Sequence, residues 1–332
     1  MKKIQKRILT DNKVRVEHVN YIHVYITKHC NLQCPHCFTN SSPSEHFTMP
    51  LDFWLDVFKQ MSALEVKTVH IEGGEPLLYP GIEKLISYIA DSRIKELLVV
   101  SNGIAATREK LNELMQAGLK KIAISLDSID ENVHNELRAP SFKYAMRAVE
   151  DAVSLGFYTR VSSVITKKNI GLIGKFLDYL RDIGVNTVNL DWFNGAGRGA
   201  CLKDEYEVTY KDKDLLPEFE SAIENFMKNR GGSGTTISVD LPQWYERTGT
   251  FLVTDPVRTH HLNCDGIVKQ LSIDERGRVF PCFIFSGGPD TIGSLTETSL
   301  EAIIYDRQRH LPVRCPIGVS KHIFYQSTRD NE

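Results

Sequence analysis

The sequence predicts an α/β fold: six β-α units forming a parallel sheet that curls toward a partial barrel, then a smaller α+β region. Three observations predict it. Short runs of β-branched and aromatic residues alternate with amphipathic segments from residue 21 to about residue 192. Several of those runs end in short polar or glycine-rich strings, where sheets of this class carry their chemistry. The alternation stops near residue 200.

The elements follow in order. YIHVYIT, residues 21–27, reads as the first strand. TMPLDFWLDVFKQMSALE reads as a helix with Thr48 as N-cap, and Leu51, Trp54, Leu55 and Phe58 have helical spacing. KTVHIE is the second strand and GIEKLISYIADS its helix. KELLVVSN is the third strand, and the helix TREKLNELMQAG closes on Gly118. KKIAISLD is the fourth strand, with a helix around YAMRAVEDAVSLG. YTRVSSVIT and VNTVNLDWF are the fifth and sixth strands, joined by the helix IGLIGKFLDYLRDIG. Such repeats imply a parallel sheet with right-handed crossovers. Beyond residue 200, DLLPEFESAIENFMKNRGGSG reads as an amphipathic helix with a glycine-rich stop. VKQLSIDERGRVFPC reads as a hairpin turning at Asp274 to Gly277, and SLEAIIYDRQRH as a last short helix.

The chain has 332 residues, 42% of them hydrophobic, which is enough to bury a sizeable core. Its net charge of -2 does not point to nucleic acid as a partner. Lys2, Lys3, Lys6, Arg7, Lys13 and Arg15 make a basic start that reads as a solvated arm. No apolar run approaches the roughly 18 residues of a membrane span, so no membrane partner is expected. The basic start has no apolar core like a signal peptide's, so a cytoplasmic protein is expected. The expected division is an arm at 1–20, a core at 21–200 and a second domain at 201–332.

Seven cysteines in a reducing compartment read as thiols or metal ligands. Cys30, Cys34 and Cys37 form a C-x3-C-x2-C string after the first strand. A structural zinc ion takes four ligands, and His29 or His36 would have to complete the set. Each of those imidazoles is adjacent in sequence to a cysteine, which makes joint ligation of one ion awkward. A [4Fe–4S] cube on three thiolates instead leaves one iron open for a small chelating molecule.

With EGGEP (72–76), SNG (101–103) and SLD (125–127) ending the next three strands, this string resembles the radical S-adenosylmethionine (SAM) superfamily. The resemblance covers residues 21 to about 195 and implies a partial TIM-like (βα)6 barrel. It implies that Cys30, Cys34 and Cys37 hold a [4Fe–4S] cluster whose open iron chelates SAM. It places His36 by the adenine. Gly73, Gly74 and Glu75 fall where the family contacts the methionine amino group, and Ser101 and Asn102 end the third strand as the family's TNG does. Ser125 and Asp127 resemble ribose contacts. His134 and Arg138 lie one helical turn apart, and Arg138 resembles a carboxylate-holding arginine, although a solvated helical charge is the plainer reading. A reduced flavodoxin or ferredoxin-type electron donor is implied as a partner.

Cys264, Gly277 and Cys282 give C-x12-G-x4-C across the hairpin, which resembles the opening of the SPASM/twitch extension. That implies one auxiliary [4Fe–4S] cluster on Cys264, Cys282 and Cys315. Gly318 stands where a last cysteine is common. The fourth position is then vacant, or filled by His310, His322 or Cys201. Zinc and plain buried thiols are the alternatives. The GRG string resembles one seen past this strand in SPASM-type enzymes, so Arg198 is expected to orient SAM or its surroundings. Trp192 and Phe193 read as core, with a substrate-pocket wall as the alternative. Cys201 reads as a packing thiol or as a hydrogen-atom donor to a substrate radical.

The expected activity is hydrogen abstraction from a substrate C–H bond by a radical made from SAM. The first expected substrate is a ribosomally made peptide, cross-linked, oxidised or epimerised. The second is a small aminosugar- or aminocyclitol-type metabolite, favoured by the lack of an obvious leader-peptide-binding domain. A non-catalytic zinc scaffold is the reading from another class.

Overall fold

The computed structural model describes residues 19–209, 211–229, 234–242, 262–263, 270–283, 288, 291–306 and 319–325. Six strands run in chain order through the first part: β1 (Tyr21–Tyr25), β2 (Thr68–Glu72), β3 (Glu96–Ser101), β4 (Lys121–Ser125), β5 (Tyr158–Ile165) and β6 (Thr187–Trp192). Each pairs parallel with the next. The helices between them are α1 (Leu51–Ala63), α2 (Ile82–Ala90), α3 (Arg108–Gln116), α4 (Glu131–Arg138), α5 (Phe142–Leu155) and α6 (Ile173–Asp182). This is the α/β arrangement of a partial TIM-like barrel.

The sheet runs further than the six strands read from the sequence. After α7 (Lys203–Tyr206) and α8 (Leu216–Asn229), β7 (Thr236–Pro242) pairs parallel with β6. Then β12 (Val319–Tyr325) pairs antiparallel with β7 and with β8 (Leu262–Asn263). On the opposite edge, β9 (Gln270–Ile273) lies parallel to β1. It forms a hairpin with β10 (Arg278–Phe280), which pairs with β11 (Gly293–Ser294). A last helix, α9, spans Leu300–Asp306. The hairpin turn falls at Asp274 to Gly277, where Gly277 N–H donates to Asp274 O (2.9 Å).

Local rules explain most helix limits. In α1 the buried residues are Trp54, Val57, Phe58 and Met61, an i, i+3, i+4, i+7 stripe. The Thr107 side chain caps α3 by accepting from Lys110 N–H, and Asp130 caps α4 by accepting from Asn132 and Val133. Thr48 does not cap α1. Its hydroxyl donates to Ile26 O (2.6 Å), and Pro50 occupies the cap position. Thr48 therefore ties the helix entry to the end of β1.

The main core lies between the sheet and its helices. Ile22 and Val24 of β1 and Val69 and Ile71 of β2 belong to it. Their alternates Tyr21, His23, Tyr25, His70 and Glu72 must face the other way. His70 on β2 feels the charge of Arg160 on β5, although β3 and β4 lie between them. In this partial-barrel arrangement the face opposite the helices is the concave one, and here it is polar.

Phe58→Ala is expected to cost about 3–5 kcal/mol through a core cavity. Tyr305→Ala, at a residue 85% exposed, should stay within about 0.5 kcal/mol. Chemical-denaturation midpoints of the two variants check both.

Candidate functional site

The cysteine loop leaves β1 and is closed on itself. Cys30 N–H donates to Ser42 O (3.2 Å), and Cys37 N–H donates to Cys34 O (3.2 Å). Leu32 N–H donates to Cys30 Sγ (3.4 Å), and Asn102 Nδ2 lies 3.6 Å from the same sulfur. Cys34 Sγ reaches Arg138 O (3.5 Å), and Cys37 Sγ reaches Thr39 Oγ1 (3.3 Å). Burial pushes the Cys30 thiol up to about 12 and the Cys34 thiol up to about 11. Thiols so costly to ionise alone become thiolates readily against a metal's positive charge.

The spread of the sulfurs bears on zinc. Among the described residues, the three-residue group whose ligand atoms lie within 4.8 Å of one another is His23, His70 and Glu72, so the three sulfurs are spread wider. A zinc ion with Zn–S bonds of about 2.3 Å would draw thiolates to roughly 3.8 Å from each other. A cube binds each thiolate to a different iron and spaces them further apart.

The turn after β2 packs hard against this loop. Gly74 N–H donates to Thr27 O (2.7 Å), and Glu75 N–H donates to His29 O (2.9 Å). A Cβ on Gly74 would sit 2.2 Å from His29 O, and one on Gly73 would sit 2.4 Å from Thr27 O. The Glu75 carboxylate is fully buried and accepts from Asn102 N–H (2.8 Å) and Leu77 N–H (3.1 Å). Burial raises it from its ordinary 4.5 to about 7. Asn102 Nδ2 donates to Asn31 Oδ1 (2.7 Å), and Ser101 Oγ accepts from Gly103 N–H (3.0 Å). A small cleft beside the turn is lined by Tyr25, Thr27, Thr39, Ser41, Gly73 and Glu275.

Beyond β4 lies a buried charge network, and Ser125 is buried at the strand end. Arg138 Nε donates to Asp127 Oδ2 (2.5 Å), and Val164 N–H donates to Asp127 Oδ1 (2.8 Å). Burial alone would raise the Asp127 carboxyl, but the Arg138 cation holds it below its usual range. His36 Nε2 lies 3.9 Å from Asp127 Oδ2. Its Nδ1 is buried with no hydrogen-bond partner among the described residues. Burial lowers both His36 and His134 to about 4. His134 is a positioning group: its Nδ1 accepts from Asp127 N–H (3.2 Å), and its Nε2 meets Ser141 Oγ (3.0 Å).

Arg198 clamps the cysteine loop. Its Nε donates to Cys34 O (3.0 Å), its guanidinium to Ser41 O (2.7 Å) and its N–H to Cys37 O (3.1 Å). Gly197, at φ 56, lets the backbone approach, since a Cβ there would sit 2.4 Å from Phe38 O. Cys201 ends up exposed on the same turn. Phe193 packs with Leu137 and Tyr206, and Trp192 packs against the main core.

Of the rear set, Cys282 is described and buried, and Gln270 Nε2 donates to its sulfur (3.0 Å). Cys264, Cys315, His310 and the basic arm through residue 18 lie outside the described residues, and His322 lies on β12. Sequence reading missed a second polar cluster on the concave face: Tyr21, His23, His70, Glu72 and Arg160. The signal was present, because YIHVY and TVHIE alternate polar and apolar residues where a doubly covered parallel strand would be apolar throughout.

The radical SAM superfamily profile matches residues 24–180. The chain belongs to the radical SAM superfamily. It is 30% identical over 235 residues to GTP 3',8-cyclase of Helicobacter pylori strain 26695, covering 68% of this chain and 71% of that one. It is 25% identical over 282 residues to the antilisterial bacteriocin subtilosin biosynthesis protein AlbA of Bacillus subtilis strain 168, covering 84% of this chain but 58% of AlbA. The fold resembles that of Streptococcus suis SuiB bound to S-adenosylmethionine, with a TM-score of 0.71 at 19% identity over 87% of this chain and 66% of SuiB. No described helix is long and apolar enough to cross a membrane. The family's cofactors are a [4Fe–4S] cluster and SAM, with auxiliary clusters in SPASM members.

Gly74→Ala should push the turn off the cysteine loop, cost about 1–3 kcal/mol through overpacking and lower iron retention in an iron assay. The Glu75 carboxyl should also show in stability. An acid raised in the fold keeps a proton that the unfolded chain releases. Glu75 should therefore make stability fall as pH rises from about 4.5 to about 7. Comparing denaturation of wild type and Glu75→Gln across that window checks it, since the glutamine removes this slope.

Proposed function

We propose that the chain is a radical SAM enzyme that modifies a ribosomally made peptide. The observation that carries the cofactor half of this reading is the Gly73–Glu75 turn pressed on the loop of Cys30, Cys34 and Cys37. Three thiols on one loop, a close-packed turn beside them and an unpartnered buried imidazole nitrogen on His36 suit a cluster with SAM. When bound, these cofactors supply a 5′-deoxyadenosyl radical that takes a hydrogen atom from a substrate C–H bond.

The chain's own residues do the rest. Cys30, Cys34 and Cys37 would hold the cluster, with Asn102 directing its amide toward the Cys30 sulfur. The Gly73–Glu75 turn would receive the methionine end of SAM, where a buried carboxyl can meet an ammonium group. His36 would lie against the adenine, and Ser125 and Asp127 would face the ribose. Arg138 and Arg198 act by position, since their hydrogen bonds grip Asp127 and the cysteine loop. Cys282, with Cys264 and Cys315, would hold one auxiliary cluster. A reduced flavodoxin or ferredoxin-type protein would supply the electron.

The peptide substrate is supported by two likenesses. AlbA is named for bacteriocin biosynthesis, and SuiB has also been solved bound to its precursor peptide SuiA. A second reading, a small polar metabolite, is favoured by the cyclase likeness and by the polar concave face. Oxidation, cross-linking and epimerisation remain distinct outcomes of one hydrogen abstraction. Cys201 is the proposed hydrogen donor for the epimerising outcome.

Anaerobically reconstituted protein should hold about eight irons per chain, and Cys30→Ala about four, with 5′-deoxyadenosine formation from SAM and dithionite abolished. Full deoxyadenosine formation by the variant sinks the assignment. Incubation with peptide in deuterated water reads the outcome. Deuterium at a stereocentre, lost in Cys201→Ala, supports epimerisation, whereas unchanged incorporation removes Cys201 from the reaction.

A further inference from the structure

The concave face carries a cluster that the cofactor chemistry above does not use. His23 on β1 and His70 on β2 are direct partners in the strand register, and Glu72 lies two residues further along β2. His23 and His70 are buried in the parallel sheet, and Glu72 is partly buried. His23 Nδ1 lies 2.7 Å from Glu72 Oε1, and His70 Nδ1 lies 3.5 Å from the same oxygen. The two imidazole rings stand 78° apart with centroids 5.4 Å apart, so they approach the carboxylate from different directions. One donor atom from each residue falls within 4.8 Å of the others.

We propose that His23, His70 and Glu72 form a binding site for one divalent first-row metal ion, separate from both cysteine sets. Two imidazoles and one carboxylate on three corners, with further positions open, are a donor set that suits Fe(II), Mn(II), Co(II) and Zn(II). Bonds of about 2.0–2.2 Å to one ion put neighbouring donors roughly 3 Å apart. The two imidazole–carboxylate distances, 2.7 and 3.5 Å, already bracket that value, and the donor atoms all lie within 4.8 Å of one another. The Tyr21 hydroxyl touches both ring nitrogens of His70, so it fixes the ring edge and has to yield Nδ1 when an ion binds there. Without metal, the same atoms satisfy one another: Tyr21 to His70, and His23 to Glu72.

The surroundings say where the open positions point. Tyr25 is buried beside Glu72, close enough for its hydroxyl to interact with that carboxylate, and within electrostatic reach of Cys282. His23 packs against Phe283 (5.0 Å between rings). Arg160 faces the cluster across the concave face, and its Nε is buried without a partner among the described residues. A dication opposite Arg160 would bring an anion with it, and a substrate carboxylate fits both charges. The site thus anchors an acidic group on the concave face. It suits the peptide reading proposed above, on which this step rests, because a peptide carries carboxylates and an aminosugar or aminocyclitol does not.

The test uses the cluster-loaded protein, with its clusters in the oxidised, diamagnetic state, titrated anaerobically with Mn(II). Manganese favours oxygen and nitrogen over thiolate, so the cysteines do not compete. Free Mn(II) is read by its solution EPR signal. The expected result is one Mn(II) bound per chain and displaced by Zn(II). Glu72→Gln and, separately, His70→Gln should weaken it by about tenfold or more, with iron content and melting temperature unchanged. Pulsed EPR of the bound ion in the wild-type protein should show nitrogen from two imidazoles, a readout that needs no variant. Any of three results overturns the site: no uptake below about 1 mM, no imidazole nitrogen on the bound ion, or both variants binding as the wild type does.

Discussion

Everything at this site hangs on two backbone hydrogen bonds that continue the β1–β2 pairing past the strand ends. They run from Gly74 to Thr27 and from Glu75 to His29. Parallel pairing sets the direction of two strands but leaves the loops beyond them free to diverge. Here the second loop is stitched to the first at the residue just before Cys30. The Glu75 carboxylate then pulls in the end of β3 by accepting from Asn102. Three strand ends are fixed at one point, and the first thiol of the cysteine loop starts from there. The stitch needs both glycines, because a Cβ at either position would lie inside the opposing carbonyl oxygen's contact distance.

The other side of the loop is held by charge. Asp127 and Arg138 are buried together, which is a weak way to gain stability and a strong way to fix position. Removing one partner would strand the other at a cost of about 3–5 kcal/mol. The pair is satisfied on all sides, with Val164 and His134 bonding the aspartate residue and the Arg138 carbonyl accepting from the Cys34 thiol. That last contact links the network to the cysteines. Arg198 closes the third side from the turn after β6, with three hydrogen bonds to loop carbonyls. The cysteines are therefore held by backbone, by a buried ion pair and by a guanidinium clamp, each from a different part of the barrel.

Much of this was legible in the sequence, and the reasons differ by element. The six parallel strands and their helices showed because their apolar residues keep a clean period, and some helices add a side-chain cap, as α3 and α4 do, or a closing glycine, as α5 does at Gly156. The cysteine spacing and the strings at successive strand ends were equally visible, being local. What hid was long-range. No local signal said that Thr48 would bond Ile26 instead of capping α1. In sequence Arg138 resembles a carboxylate-holding arginine, with a solvated helical charge as the bland alternative, and nothing local shows that its guanidinium bonds Asp127. β7 follows a glycine-rich stretch and carries its pattern weakly, so its parallel pairing with β6 was missed. The imidazole–carboxylate cluster joins residues almost fifty apart in sequence, and it appears only once the register of β1 against β2 is known.

The concave face explains why an open sheet suits this chemistry. A closed eight-stranded barrel fills its interior with layers of apolar side chains. Here the parallel strands form an arc whose helix side is apolar and whose inner side carries Tyr21, His23, His70, Glu72, Arg160 and Asn189. Such an interior cannot collapse on itself without stranding polar groups, so it favours polar guests. The hairpin of β9 and β10 extends this face, because β9 pairs parallel with β1 and the chain returns to put Cys282 beside Gln270. The first cysteine set lies at the strand ends and the rear cysteine at the sheet's edge. The polar face between them belongs to both, and a substrate lying on it would touch the products of one sheet rather than of two separate domains.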